Sequence, residues 1–200
     1  MKNLRERRRE MLREEILNAA QELLLSKGFA AMSMDELASV VGISKPTLYD
    51  YFDSKETLAV EVIIAHLRWF VHQVHQRPPE RSPLTHLLYL MREVQRASHN
   101  QGPSSLHEWS PEFARLIIDH PQACDFVHSI HTDISSLVQE ARLKGEIDSS
   151  LSVDAVVLAF HNHIHAIRIR HLHRVTWQDD VQTCAESLIR MFERSVRPGS

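Results

Sequence analysis

Ser33-Met34-Asp35-Glu36-Leu37-Ala38-Ser39-Val40-Val41-Gly42-Ile43-Ser44-Lys45-Pro46-Thr47-Leu48-Tyr49-Asp50-Tyr51-Phe52 reads as two short helices around a tight turn. Ser33 and Glu36 have the spacing of a capping box, in which a hydroxyl and a carboxylate reciprocally satisfy orphan amides at a helix start. That helix runs to about Val40, and Gly42 interrupts it. Ser44 can cap the next one, and Pro46 is tolerated because the first helical turn has no intrahelical bond to lose. The second helix reaches about Phe52, with Leu48 and Phe52 four apart and facing inward, and the small Ala38 lets the pair pack closely. A Gly-bearing turn between two short helices is the geometry of a helix-turn-helix, although a plain helical hairpin inside a larger bundle has the same spacing.

Helical punctuation continues on both sides. Upstream, Leu12, Ile16, Ala19, Ala20, Leu23 and Leu24 recur at helical steps, and Lys27-Gly28 supplies a stop. Downstream, Asp53 or Ser54 opens a long helix with Ala59, Val62, Ile63, His66, Leu67, Phe70 and Val74 on one face, closed by Arg77-Pro78-Pro79. Ser82-Pro83 opens a helix to about Ser98, and a segment broken by Pro111 runs from Ser105 to Asp119. Pro121 to Lys144 carries Val127, Ile130, Ile134, Leu137 and Ala141 inward, and Gly145 ends it. Two last helices are expected from Ser152 to about Arg174, and from a Thr176-Trp177-Gln178-Asp179 cap to about Val196. The chain therefore reads as all-α, with about nine helices and no internal repeat.

Composition narrows the chemistry. With 200 residues, 43% hydrophobic and 24% charged, the chain can bury a sizeable core. Gly28, Gly42, Gly102, Gly145 and Gly199 lie too far apart for a P-loop, a dinucleotide fingerprint or a nucleophile elbow. Cys124 and Cys184 are single, forming neither a CxxC pair nor a disulfide framework, which fits a reducing cytosol. No nucleophile and base stand at a recognisable spacing, so the expectation is no enzyme, no catalytic residues and no cofactor. The charged N-terminus is not a signal peptide, and no apolar run approaches the roughly 18 residues of a membrane span. A soluble, cytoplasmic protein without a membrane partner is expected.

The outward side of the second short helix carries Lys45, Thr47, Tyr49 and Tyr51. A tyrosine can pack along a sugar-phosphate wall and donate to a phosphate, while a threonine offers hydroxyl and methyl to a base edge. Lys27-Gly28-Phe29, Ser33 to Ala38, and Val41-Gly42-Ile43-Ser44-Lys45-Pro46-Thr47-Leu48-Tyr49-Asp50-Tyr51-Phe52-Asp53-Ser54-Lys55-Glu56-Thr57-Leu58 closely resemble the N-terminal domain of the TetR family of transcriptional regulators. The resemblance covers about residues 10 to 60; beyond them it is one of architecture, namely helix count, length and a Lys-Gly-Glu-Ile step before the eighth helix.

The resemblance implies a three-helix DNA-binding domain followed by a helical ligand-binding and dimerisation domain. Ser44 to Phe52 would enter the major groove, with Ser44, Lys45, Thr47, Tyr49 and Tyr51 as contacts. Lys55 would reach a phosphate, and Ser33 would present helix N-terminal amides to another. Asp50 departs from the His or aromatic often found there; it points away or accepts from a cytosine amino group.

Regional charge qualifies a net charge of -3, which by itself would vote against DNA. Lys2, Arg5, Arg7, Arg8 and Arg9 against Glu6 make residues 1–9 a basic flexible arm, or a frayed tail, ahead of a slightly acidic helix-turn-helix domain at 10–55. Binding would lean on a few placed contacts and on the arm. Residues 56–200 would form the effector-binding and dimerisation domain.

All 14 His lie between His66 and His173. His161 and His165 share a helix face at a spacing that can hold a metal, but that face lies beside the apolar stripe of Val157, Phe160, Ile164 and Ile167, which reads as a polar flank; no metal site is assigned. His66 and His131 sit inside apolar stripes and are candidate polar anchors of a mostly apolar effector pocket lined by His66, Phe70, Met91, Trp109, Phe113, His131 and Phe160, with core packing the alternative. Val153, Val156, Val157, Phe160, Ile164, Ile167, Leu188, Ile189, Met191 and Phe192 on the last two helices would supply the faces of a homodimeric bundle. The resulting expectation is a homodimeric repressor on a palindromic double-stranded operator, released by a small-molecule effector. A metal-sensing regulator using the His-rich body is the alternative, and the residues do not distinguish a repressor from an activator.

Overall fold

The computed structural model describes residues 3–99, 111–166 and 178–199. Among the described residues all regular structure is helical: α1 (Leu4–Ala31), α2 (Met34–Val41), α3 (Lys45–Tyr49), α4 (Lys55–His75), α5 (Pro83–His99), α6 (Pro111–Ile118), α7 (Pro121–Leu143), α8 (Val153–Ala166) and α9 (Val181–Val196). The all-α expectation holds. No helix among the described residues is long and apolar enough to cross a membrane.

The chain divides into two compact units, Met1–Leu67 with Leu106–Asp125, and Arg68–Ser105 with Phe126–Ser200. α4 begins at Lys55, the expected boundary, and the first unit takes in its residues to Leu67, with Glu61 paired to Arg13 of α1 at 3.1 Å. A departure concerns residues 4–9, expected as part of a flexible arm. They form the first turns of α1: Asn3 Oδ1 accepts from the Glu6 amide at 2.9 Å, and Glu6 Oε2 accepts from the Asn3 amide at 2.8 Å. That reciprocal cap, with no Gly or Pro before Gly28, lets helix propagate through the basic run. Gly28 then breaks α1 with φ 78° and ψ 167°, a backbone state that side chains with a Cβ resist.

Three capping serines fix the short elements. Ser33, Ser44 and Ser54 accept from the amides of Glu36, Thr47 and Thr57 at 3.2, 3.2 and 3.0 Å. The capping box at Ser33 forms only in its serine half, since the Glu36 carboxylate pairs with Lys27 instead. Gly42 ends α2 in the left-handed region at φ 77°, with Ile43 N–H reaching back to the Ala38 carbonyl at 3.0 Å. After α3 the chain keeps turning, with the amides of Tyr51 and Phe52 both bonded to the Leu48 carbonyl at 3.1 Å, which is why the sequence reads as one helix to Phe52.

In the second unit, α5, α8 and α9 pack on one another. Their buried stripes include Leu87 and Met91, Val157 and Phe160, and Ile189 and Phe192. Phe160 and Phe192 meet edge to face at 6.1 Å, and His163 joins them at 5.5 Å from Phe192. Burying each such aromatic contributes roughly 1.5–3 kcal/mol. The start of α9 is corrected: Asp180, accepting from the Thr183 amide at 2.9 Å, is the cap, one residue beyond the expected Thr176–Asp179 box. Thr176, Trp177 and Ile167 lie outside the described residues.

Most of the apolar residues expected on a dimer face belong to this core instead. Val156, Val157, Phe160, Ile164, Ile189 and Phe192 are buried within the single chain, because α8 and α9 turn their strongest stripes toward each other and α5. What they leave outward is Leu158, 64% exposed, and Met191, 61% exposed, with Val153 and Leu188 half-buried.

Candidate nucleic-acid interface

Leu48 and Phe52 are buried, as are Leu37 and Ala38 of α2, and these contacts set the rotation of α3. Opposite them, Ser44, Lys45 and Tyr49 are exposed, Tyr49 at 40%, while Thr47 and Tyr51 are half-buried. The Ser44 and Thr47 hydroxyls are hydrogen-bonded at 2.7 Å, so a residue that offers a hydroxyl outward is also held in place by the helix cap. Asp50 is exposed.

The cations around this face are positioned by neighbours. Lys45 Nζ donates to Asp35 at 2.9 Å, and this bond with the Asp35 charge raises the Lys45 pKa above its ordinary value. Lys55 Nζ donates to the Ala30 carbonyl at 3.3 Å and lies 4.5 Å from the Phe29 ring centroid, which places it where α1 ends. The Arg9 guanidinium lies 5.6 Å from the Tyr51 ring centroid, and that of Arg13 lies 5.2 Å from Phe52. Arg9 was legible only as one charge of the N-terminal run, Lys27 only as part of a helix stop, and Arg13 not at all, because what places them is tertiary contact.

Residues 16–62, the whole of this helix-turn-helix, match the model of bacterial regulatory proteins of the tetR family. Over those residues the chain is similar to the tetR family. The N-terminal segment is 40% identical over 68 residues to the transcriptional activator FasR of Mycolicibacterium smegmatis, covering 34% of this chain and 31% of FasR. The transcriptional repressor KstR2 of the same organism is 27% identical over 150 residues, covering 72% of this chain and 71% of KstR2. In fold, the chain is similar to the ketosteroid transcriptional regulator KstR2 of Mycobacterium tuberculosis, with a TM-score of 0.72 and 17% identity over 92% of this chain and 94% of that one. These curated relatives are regulators of transcription.

The residues expected to line an effector pocket are not all brought inside. His66, in the first unit, and Phe70, Met91 and Phe160, in the second, are buried. His131 is exposed, which corrects its reading as an inward residue. The buried stripe of α7 runs through Ile130, Ile134, Val138 and Ala141, leaving Val127 and His131 beyond its edges. His131 lines an open depression of about 620 Å³ with Thr132, Ser135, Ser136, Gln139 and Val153. Phe113 lies on α6, where its side chain is outside the described set, and Trp109 is outside the described residues. His161 is half-buried, and burial together with the neighbouring His131 holds its imidazole below the ordinary pKa. Among the described residues no group of three or more His, Cys, Asp or Glu side chains is arranged to hold a metal; the His165 side chain, His171 and His173 lie outside that set.

Sequence reasoning missed two buried polar residues of α5 among those described, His86 and Gln95. The signal for Gln95 was available, since it falls on the helical stripe of Leu84, Leu87, Leu88 and Met91.

Proposed function

We propose that the chain is a ligand-responsive transcriptional repressor that binds a palindromic operator as a homodimer and is released by a small, mostly apolar effector. The observation that carries this reading is the α2–α3 pair, with Leu48 and Phe52 holding one side and Ser44, Lys45, Thr47, Tyr49 and Tyr51 presented on the other. α3 would lie in the major groove, with Ser33 and Lys55 on flanking phosphates and the basic turns of α1 adding charge at their side. Repression is favoured over activation because the repressor KstR2 aligns over 72% of the chain, whereas the activator FasR aligns over 34%.

Leu158 and Met191, with Val153 and Leu188, would meet a second copy through the last two helices, since apolar surface left outward on adjacent helices is what an isologous interface covers. Two-fold symmetry then sets the half-sites about one DNA turn apart, roughly 34 Å, or somewhat more. α4 links the operations: it begins at Lys55, beside the DNA-facing residues, and continues past His66 to Phe70. An effector that binds one tilt of this helix better than another shifts the population between bound and released states.

The test is selection of duplexes from a random-sequence pool by the full chain, followed by mass measurement of the complex. Enrichment of one inverted repeat carrying two chains is expected; enrichment of no sequence above background would contradict the reading.

A further inference from the structure

We propose that Gln95 is the recognition point for a neutral hydrogen-bond acceptor, such as a carbonyl oxygen, on an otherwise apolar effector. The proposal rests on the effector reading above and adds the ligand's chemical class.

Gln95 continues the inward stripe of α5 one turn after Met91; Met91 is fully buried and Gln95 is 7% exposed. Its Nε2 is buried without a hydrogen-bond partner. An amide donor removed from water and left unpaired keeps the whole cost of its desolvation, so such groups are rare unless something else supplies the acceptor. The contrast with the other buried polar side chain described in the second unit is direct. His86 is fully engaged: its Nε2–H donates to the Val74 carbonyl at 2.9 Å, and Nδ1 accepts from Arg81 at 3.3 Å. Gln95 is thus a polar residue of the described α5 core whose donor the fold has not used.

The surroundings define what would pair with it. α5 packs on α8 and α9, whose buried faces are apolar, with Phe160 and Phe192 at their centre. The cations of α5 near Gln95 are directed elsewhere, Arg92 toward Glu186 at 3.7 Å and Arg96 toward Glu93 at 2.9 Å, with partly exposed side chains. With these described cations engaged elsewhere, an amide donor suits a neutral oxygen rather than a carboxylate or phosphate, whose desolvated charge would go uncompensated.

Thermal melting of the full chain tests this with 2-decanone and decane as probes, in wild type, Gln95→Leu and Gln95→Met. Without probe, both variants should melt higher than wild type, because they remove an unpaired buried donor; a lower melting temperature in both would show that the amide serves the fold and would overturn the proposal. The concentration dependence of the melting shift gives the affinities. Wild type should bind the ketone about tenfold tighter than the alkane, and both variants should lose that preference while binding the alkane as well as before. Equal affinity of wild type for the two probes, or a preference retained in the variants, would overturn the proposal. A shift with neither probe in any of the three proteins would instead count against an apolar effector altogether, and the proposal would fall with that reading.

Discussion

The guanidinium of Arg9 lies 5.6 Å from the centroid of the Tyr51 ring, so the end of the basic N-terminal run is held beside the residues that follow α3. A cation over an aromatic face gains about 0.5–1 kcal/mol at an exposed site. On the proposed reading the consequence is functional more than structural, since a positive charge is delivered to the flank of α3, the helix proposed to face DNA. Replacing Arg9 with Gln should leave the fold intact, weaken binding to any duplex, and reduce the slope of log affinity against log salt by about 1. Fluorescence anisotropy across a salt series measures both.

Lys45 is occupied by Asp35 in the free chain. A phosphate that takes Lys45 must compete with this carboxylate, and the carboxylate itself repels the duplex. Asp35→Asn is expected to raise affinity several-fold for operator and unrelated DNA alike, at a stability cost of some tenths of a kcal/mol from the first turn of α2. The same anisotropy assay, run on both duplexes, separates this general gain from a change in specificity.

Gly42 stands at φ 77°, and a Cβ placed there would meet no atom within 4 Å. The cost of Gly42→Ala is therefore one of backbone conformation, about 1 kcal/mol, which lowers the melting temperature by about 2–4 °C in a chain of this size. A much larger loss in a thermal melt would mean that the turn between α2 and α3 has no room for a side chain.

His86 makes stability depend on pH. Burial, opposed by its bond to Val74 and reinforced by the charges of Arg81 and Arg77, lowers its pKa from 6.5. Arg77 is itself paired with Glu140 at 2.8 Å, and Arg81 Nη1 faces His86 Nδ1, so a proton on that nitrogen would meet a donor. The folded state thus binds fewer protons than the unfolded state just below pH 6.5. Stability is complete above that value and declines as the pH falls toward the lowered folded pKa. His161 titrates in the same direction, so the comparison is between wild type and His86→Gln, whose urea unfolding from pH 7.5 to about 5 should show a shallower decline.

Much of the helix-turn-helix was legible because its determinants are local. Ser33, Ser44 and Ser54 cap within three residues, Gly28 and Gly42 need their own backbone angles, and the spacing of Leu48 and Phe52 fixes which side of α3 faces inward. What the sequence does not carry is competition between partners far apart in the chain. Glu36 could not be seen to prefer Lys27 over its own helix cap, nor Arg9 to find Tyr51. The same reason explains the apolar faces of α8 and α9. Periodicity marks Phe160 and Phe192 as inward, but only the packed structure decides that they bury against their own chain and leave Leu158 and Met191 outward. On α7 the stripe was read slightly too wide, and His131 at its edge proved exposed.

The central claim is that the outward face of α3 reads DNA, and Tyr49 is its most exposed aromatic. Tyr49→Ala trims a side chain that is 40% exposed, so circular dichroism and the melting temperature should stay close to those of wild type. Titration of the selected operator with wild type and Tyr49→Ala tests the claim most directly. At least a tenfold loss of operator affinity in a folded variant is the predicted result; unchanged affinity would contradict the account.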